Sequence, residues 1–136
     1  MTAGLSVTNL ANKWLAVIAG DDNGATFTAP GAVYVQLHKG DPGAAGTSNV
    51  SSVTTRPEAV FDEPADGVMD LDNTPTWSNW AGDNGEEVTH VSLWDASSSG
   101  NFLLSAELTA SKVINTGDML TLPTLEIALT PLAATE

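Results

Sequence analysis

The sequence contains no cysteine. Disulfides, thiolate nucleophiles and thiolate metal sites are excluded in one step. Positive charge is scarce: Lys13, Lys39, Arg56 and Lys112 face seventeen acidic residues, for a formal net charge of −13. Nucleic acid is polyanionic and is bound by clustered Lys and Arg, and no such cluster exists here. Anionic membranes are disfavoured for the same reason. Long apolar runs are also missing, since none approaches the ~20 residues of a bilayer span. The first residues, Met1-Thr-Ala-Gly-Leu5, place no basic stretch ahead of an apolar one, so no secretory signal is read. Together these absences lead to the expectation of a soluble protein made in a cytoplasm, with neither nucleic acid nor membrane as partner.

What is present suits a single domain over residues 1–136, with 42% apolar residues, enough for one core. A small β domain without disulfides needs either a good core or neighbours to pack against. From Ser6 to Ala19, apolar residues fall at Val7, Leu10, Ala11, Trp14, Leu15 and Ile18, the spacing of one buried helical stripe. Ser6 suits the N-cap and Gly20 the left-handed residue after the helix, and Asp21-Asp-Asn-Gly24 then makes a turn.

Beyond Pro30-Gly31 the period changes to two. Ala32-Val-Tyr-Val-Gln-Leu-His38 puts Val33, Val35 and Leu37 on one face and Tyr34, Gln36 and His38 on the other, a half-buried strand. Lys39-Gly-Asp-Pro-Gly-Ala-Ala-Gly46 holds too many turn formers to continue it, so residues 39–55 read as a long, exposed, polar loop. Short strands are expected at 58–61, 68–71 and 74–77, with Pro75 restricting the last to an edge or a strand start. Glu87–Asp95 alternates, with Val88, His90, Ser92 and Trp94 opposite Thr89, Val91 and Leu93. Residues 96–101 form a hairpin connection into a strand at 101–108, and two further strands are expected at 119–122 and 124–129. The expected fold class is mainly β: an antiparallel β-sandwich or barrel with one N-terminal α-helix.

These residues resemble a family of small phage proteins, often labelled tail fibre or minor tail proteins and found especially among phages of actinobacteria. The likeness rests on Val35-Gln-Leu-His-Lys-Gly-Asp-Pro-Gly43, then an Ala/Gly/Thr/Asn loop and Arg56, then Val88-Thr-His-Val-Ser-Leu-Trp-Asp-Ala96 and a Gly100-Asn-Phe-Leu hairpin. Proteins of this kind carry an LHTADPG-type and a THVGLWDA-type signature behind a helix, and the likeness covers roughly residues 6–129. Lys39-Gly40 departs from the usual Thr-Ala, Ser92 from the usual Gly, and residues 62–76 are unusually acidic. The resemblance implies association with a virion after synthesis in the host bacterial cytoplasm.

Catalytic and metal chemistry find little support. No Gly-x-Ser-x-Gly elbow is present. His38 and His90 lie in strands, where a backbone hydrogen bond is the preferred reading over a base or a ligand. Asp21–Gly24, Asp70–Asn73 and Asp83–Glu87 are oxygen-rich enough for calcium but match no calcium loop, and Asp, Asn and Gly are also what turns use. Glu86, Glu87 and Glu107 are candidates for a carboxylate pair, without sign of a cleft between them. No catalytic, cofactor or metal residue is therefore assigned, and no enzyme is expected.

Trp77 and Trp80 carry three readings: cover for the end of the core, a protein interface, or a sugar-stacking pair. Trp14 and Trp94 fit apolar faces. The partner-contact candidates are Trp14 on the helix, Lys39, Asp41 and Pro42 in the loop, and Trp77 and Trp80. The preferred function is capsid decoration. The chain is short for a fibre shaft plus tip, and a small acidic β domain suits a capsid exterior. The partner would be the major capsid protein or tail proteins, with self-association as trimer or dimer. The alternative is a minor tail or tail fibre protein that binds a receptor or carbohydrate.

Overall fold

A computed structural model describes residues 3–20 and 28–129. The turn and the calcium candidate at 21–24 lie outside the described residues. The architecture is mainly β, with antiparallel sheets and one N-terminal helix, and the strands do not close into a barrel. Among the described residues eight strands follow the helix: β1 (Val33–His38), β2 (Glu58–Ala59), β3 (Val68–Asp70), β4 (Thr76–Trp77), β5 (Glu86–Trp94), β6 (Phe102–Ile114), β7 (Leu120–Thr121) and β8 (Glu126–Ala128). One four-stranded sheet runs in the order β2-β1-β5-β6, and β3-β8 and β4-β7 form two-stranded ribbons.

The core lies between the large sheet and these ribbons. Val35, Leu37, Val91 and Leu93 come from paired strands of the sheet, and Trp77, Trp80 and Leu122 close over them. Phe61, Leu71, Leu125 and Ile127 pack around the cluster. Pro75 is buried immediately before β4, where its missing N–H costs no ladder bond.

Val88 departs from its expected face. It joins Val91 and Leu93 in the core rather than His90, Ser92 and Trp94. The cause is a register shift in the β5–β6 ladder: Val88 pairs with Lys112 but His90 pairs with Glu107. An irregularity of this kind interrupts the two-residue alternation, so residues on either side of it change face. β6 also runs well past residue 108, through a stretch exposed from Thr109 to Val113 that has no alternating pattern to reveal it.

The helix also differs from expectation. Ser6 Oγ accepts from Asn9 N as an N-cap, but the first turn, Val7–Ala11, is π-helical, and α1 spans only Asn12–Ala19. Gly20 closes it at φ 70°, as its position requires. Gly4–Ser6 lies along the outer edge of β6, through Ser6 N to Leu103 O (2.7 Å) and Ser105 N to Gly4 O (2.9 Å). The π turn, not α1, makes the main contact with β6. The wider turn throws Val7 out of line with the residues that follow, and only the π turn packs closely on β6, so no single buried stripe forms. Leu10, Ala11 and Trp14 are half-buried, while Val7, Leu15 and Ile18 are 62%, 62% and 82% exposed.

Candidate functional site

The two signature segments are neighbouring strands. β1 and β5 pair with Gln36 opposite Ser92 and His38 opposite His90. One face of this pair feeds the core. The other face was expected to meet solvent, yet Gln36, His38 and Ser92 are all buried. Residues 39–55 account for this, because they fold back over the sheet instead of standing free as an exposed loop.

The fold-back is held residue by residue. Asp41 Oδ1 accepts from Gly43 N (2.8 Å), and Ser48 N donates to Pro42 O (2.9 Å). Lys39 N donates to Asn49 O (2.7 Å) and Ser51 N to Leu37 O (3.0 Å), so both arms return to the end of β1. The bond from Gly43 holds the Asp41 carboxyl below the usual range. Gly46 has φ 70° and passes so close to the Phe102 ring that no side chain fits between them.

Beneath the loop lies a closed polar chain. Trp94 Nε1 donates to Ser92 Oγ (2.8 Å), Ser92 Oγ lies 2.7 Å from His38 Nε2, and His38 Nδ1 lies 2.9 Å from Ser48 O. Each group is satisfied when His38 is neutral with its proton on Nδ1. Burial lowers the His38 pKa, which fits that state. His38 and Ser92 therefore form a structural contact. Both are fully buried, so the pair does not meet a substrate in this conformation.

Arg56 extends the network to the surface. Its guanidinium carbon sits 4.0 Å from the centroid of the Trp94 ring. Nε donates to Gln36 Oε1 (3.1 Å), and Nη1 donates to Ala96 O (3.3 Å) and Ser99 O (2.8 Å). Asp95 closes the 95–101 turn by accepting from Asn101 N (2.6 Å) and Asn101 Nδ2 (2.7 Å). Thus the loop after β1 and the turn after β5 are fastened to one another through Arg56 and Trp94. A cleft of about 300 Å³ opens beside them, lined by Thr47, Thr54, Arg56, Ser97, Ser98 and Ser99 among others.

The contact candidates are dispersed. Trp77 and Trp80 are core residues, 4% and 1% exposed, and their indole N–H groups donate to Thr55 O and Asp83 O. Of their three readings, the structure supports cover of the core, because neither presents a ring face to stack on a sugar. Pro42 is buried under the loop, and Asp41 fixes its turn. Lys39 is exposed and lies 4.0 Å from the Glu86 carboxylate. Trp14 is half-buried and lines an apolar cavity of about 200 Å³ with Leu10, Phe61, Leu103 and Ile127.

The carboxylate candidates do not converge either. Glu86 is buried and accepts from Ser51 Oγ and Ser52 N, whereas Glu87 is exposed and accepts from Ser111 Oγ. Asn73 bridges Val60 N and Glu58 O, and Asn84 Oδ1 accepts from Thr116 N, so these polar stretches lock turns. Among the described residues no group of three or more His, Asp or Glu is placed to hold a metal ion, and no helix is long and apolar enough to cross a membrane.

Two surfaces remain. One is the exposed surface of α1, where Leu15, Val17 and Ile18 are 62%, 69% and 82% exposed. The other is the Arg56 cleft. Arg56 was noted in the sequence as one of four bases and as part of the family likeness, and not as a contact candidate. Its signal was its isolation, between a hydroxyl-rich loop and Pro57, in a chain dominated by carboxylates.

Compared with known families, the chain matches over residues 6–130 the model of the family described as Podophage GP4 fiber I protein gp80. No curated protein matches the chain.

Proposed function

Since the chain belongs to the podophage GP4 fiber I protein family (gp80), we propose that it is a fibre component of the phage particle that acts by binding and not by catalysis. It is a phage structural protein with a β-rich fold. The carrying observation is that the family match runs from the N-cap of the helix to the last described strand, and so takes in both signature segments. The sequence alone put the capsid first. The family's description favours the fibre, and the argument from size loses force because a short chain serves as one module of a composite fibre.

The geometry suits such a module. Loop and turn are fastened to the sheet at one place, while α1 presents apolar side chains outward. Attachment through that face is driven by burial of apolar area. Copies that bind only the assembled particle stabilise it by mass action. The partners are other phage proteins, and the α1 face is also where copies of this chain meet one another as a dimer or trimer.

Immunogold electron microscopy of purified particles, with antibody raised against this chain, tests the location. Gold on the tail or its fibres is the expected result. Gold over the capsid shell overturns the fibre reading in favour of decoration, and particles without label overturn both.

A further inference from the structure

Arg56 is the least ordinary charge in the molecule. It is half-buried, yet among the described residues no carboxylate lies within ion-pair distance of it, in a chain with seventeen acidic residues. A partly buried charge normally finds a partner, because losing water without one is costly. Its geometry is fixed by the Trp94 ring beneath it and by bonds from Nε and Nη1, which leaves Nη2 without a hydrogen-bond partner among the described residues. An arginine immobilised this way is preorganised for an oxyanion, since little side-chain freedom remains to be lost.

The surroundings define the rest of the ligand. Among the described residues lining the cleft none is acidic, and five carry hydroxyls: Thr47, Thr54, Ser97, Ser98 and Ser99. Its volume of about 300 Å³ falls at the lower end of the range for organic ligands, and far exceeds the ~30 Å³ share of one water. A lone inorganic anion would leave most of it empty. A polyhydroxylated body with one anionic group would use both the hydroxyl wall and the fixed cation.

We propose that this cleft binds an oxyanion-bearing sugar, with its carboxylate or phosphate on Arg56 and its hydroxyls against Thr47, Thr54 and the 97–99 turn. The site is distinct from the α1 face and goes beyond the fibre reading. A net charge of −13 repels anions at long range, so affinity comes from the short-range contacts of the cleft. Charge-assisted bonds from a fixed guanidinium supply them.

The test is an amide NMR titration of the full chain with glucuronate, glucose 6-phosphate, glucose and inorganic phosphate as separate probes. Expected are saturable shifts at Thr47, Ser97, Ser98, Ser99 and the Arg56 side chain with one or both charged sugars, and much weaker ones with glucose. Which charged sugar binds decides between carboxylate and phosphate. Arg56→Ala also removes the fastening of the loop, so Ser98→Glu is the second variant. Ser98 is exposed and makes no hydrogen bond through its side chain among the described residues, and a glutamate there offers Arg56 an internal competitor. It should weaken binding by about tenfold or more, with the rest of the spectrum unchanged. No shifts with any probe, equal shifts with glucose, or undiminished binding in Ser98→Glu overturn the proposal. Inorganic phosphate binding as well as the charged sugars overturns the sugar and leaves an anion site only. Because the isolated chain is used, the result is independent of where the particle carries it.

Discussion

His38 and Ser92 face one another across β1 and β5, with Nε2 and Oγ 2.7 Å apart and both side chains sealed from solvent. Ser92 Oγ already accepts from Trp94, so its own proton goes to His38 Nε2, and His38 Nδ1–H goes to Ser48 O. A second proton on the ring would leave the Ser92 hydroxyl proton without an acceptor. Burial lowers the His38 pKa below its ordinary 6.5 against the raising effect of the Ser48 carbonyl, with charges on His90 and Arg56 adding to the lowering.

The sign of the pH effect follows. A histidine kept neutral by folding takes up its proton more readily when unfolded. Its contribution to stability is complete above about pH 6.5 and is lost as pH falls from there towards the folded value. Urea unfolding at pH 7.5 and pH 5.5 should show a lower midpoint in acid, and His38→Gln should flatten that difference. A midpoint independent of pH over this window would count against the neutral chain. The substitution itself should cost about 1–3 kcal/mol, as for other broken buried hydrogen bonds.

Glu86 gives a second, more acidic transition. Burial opposes its charge, but hydrogen bonds from Ser51 and Ser52, with Lys39 nearby, hold its carboxyl below the ordinary 4.5. Its contribution is therefore present above about pH 4.5 and disappears as pH falls through the folded value. Glu86→Gln should lower stability at pH 7 and make the further loss between pH 5 and pH 3 smaller than in the wild type, by circular dichroism, with the lowered carboxyls of Asp41 and Asp95 supplying the remainder. Lys39→Ala should change much less, since Lys39 is 43% exposed and its nitrogen is 4.0 Å away.

Gly46→Ala tests the fastening of the loop. A methyl group there meets both a left-handed backbone and the Phe102 ring, so either the loop or the ring must shift. The expected cost is about 1–3 kcal/mol. Hydrogen exchange should speed up at Lys39 and Ser51, whose amides donate across the loop base. Gly31→Ala is the control, with nothing near its position and no positive φ.

How much of this was legible in the sequence differs by kind of residue. Alternation gave β1 and β5 and their core face, because Val35, Leu37, Val91 and Leu93 are buried by one simple rule. It misplaced Val88, because a register irregularity leaves no mark in local hydrophobicity. It read 39–55 as exposed because Gly, Asp, Asn and Ser are polar. Their polar groups instead satisfy one another and the end of β1, a tertiary fact without local signal. Trp77 and Trp80, beside polar turns, suited core cover, an interface or sugar stacking, and the packing of the ribbons places both in the core. For the helix, capping chemistry marked both ends, while composition could not tell which neighbour its apolar residues await.

That neighbour is the subject of the last prediction. α1 is apolar around most of its circumference: Trp14 lines the chain's own cavity, and Leu15, Val17 and Ile18 are exposed around it. A helix apolar all round is ordinarily buried, and α1 carries a single charge, Lys13, within a chain of net −13. Two such chains repel over most of their surfaces, and the α1 face is a place where they meet without opposing carboxylates. Three exposed aliphatic side chains contribute on the order of 1.5–3 kcal/mol each when fully buried. Across a symmetric contact that sum is doubled, which is enough to offset part of the cost of association. Size-exclusion chromatography with light scattering should find the wild type as a dimer or trimer at micromolar concentration. Leu15→Ser, Val17→Ser and Ile18→Ser combined should give a monomer whose β signature in circular dichroism is unchanged, because no residue of α1 is buried in the chain's own core. A monomeric wild type would assign this face to a different phage protein, and an oligomeric triple variant would move the self-contact elsewhere on the sheet.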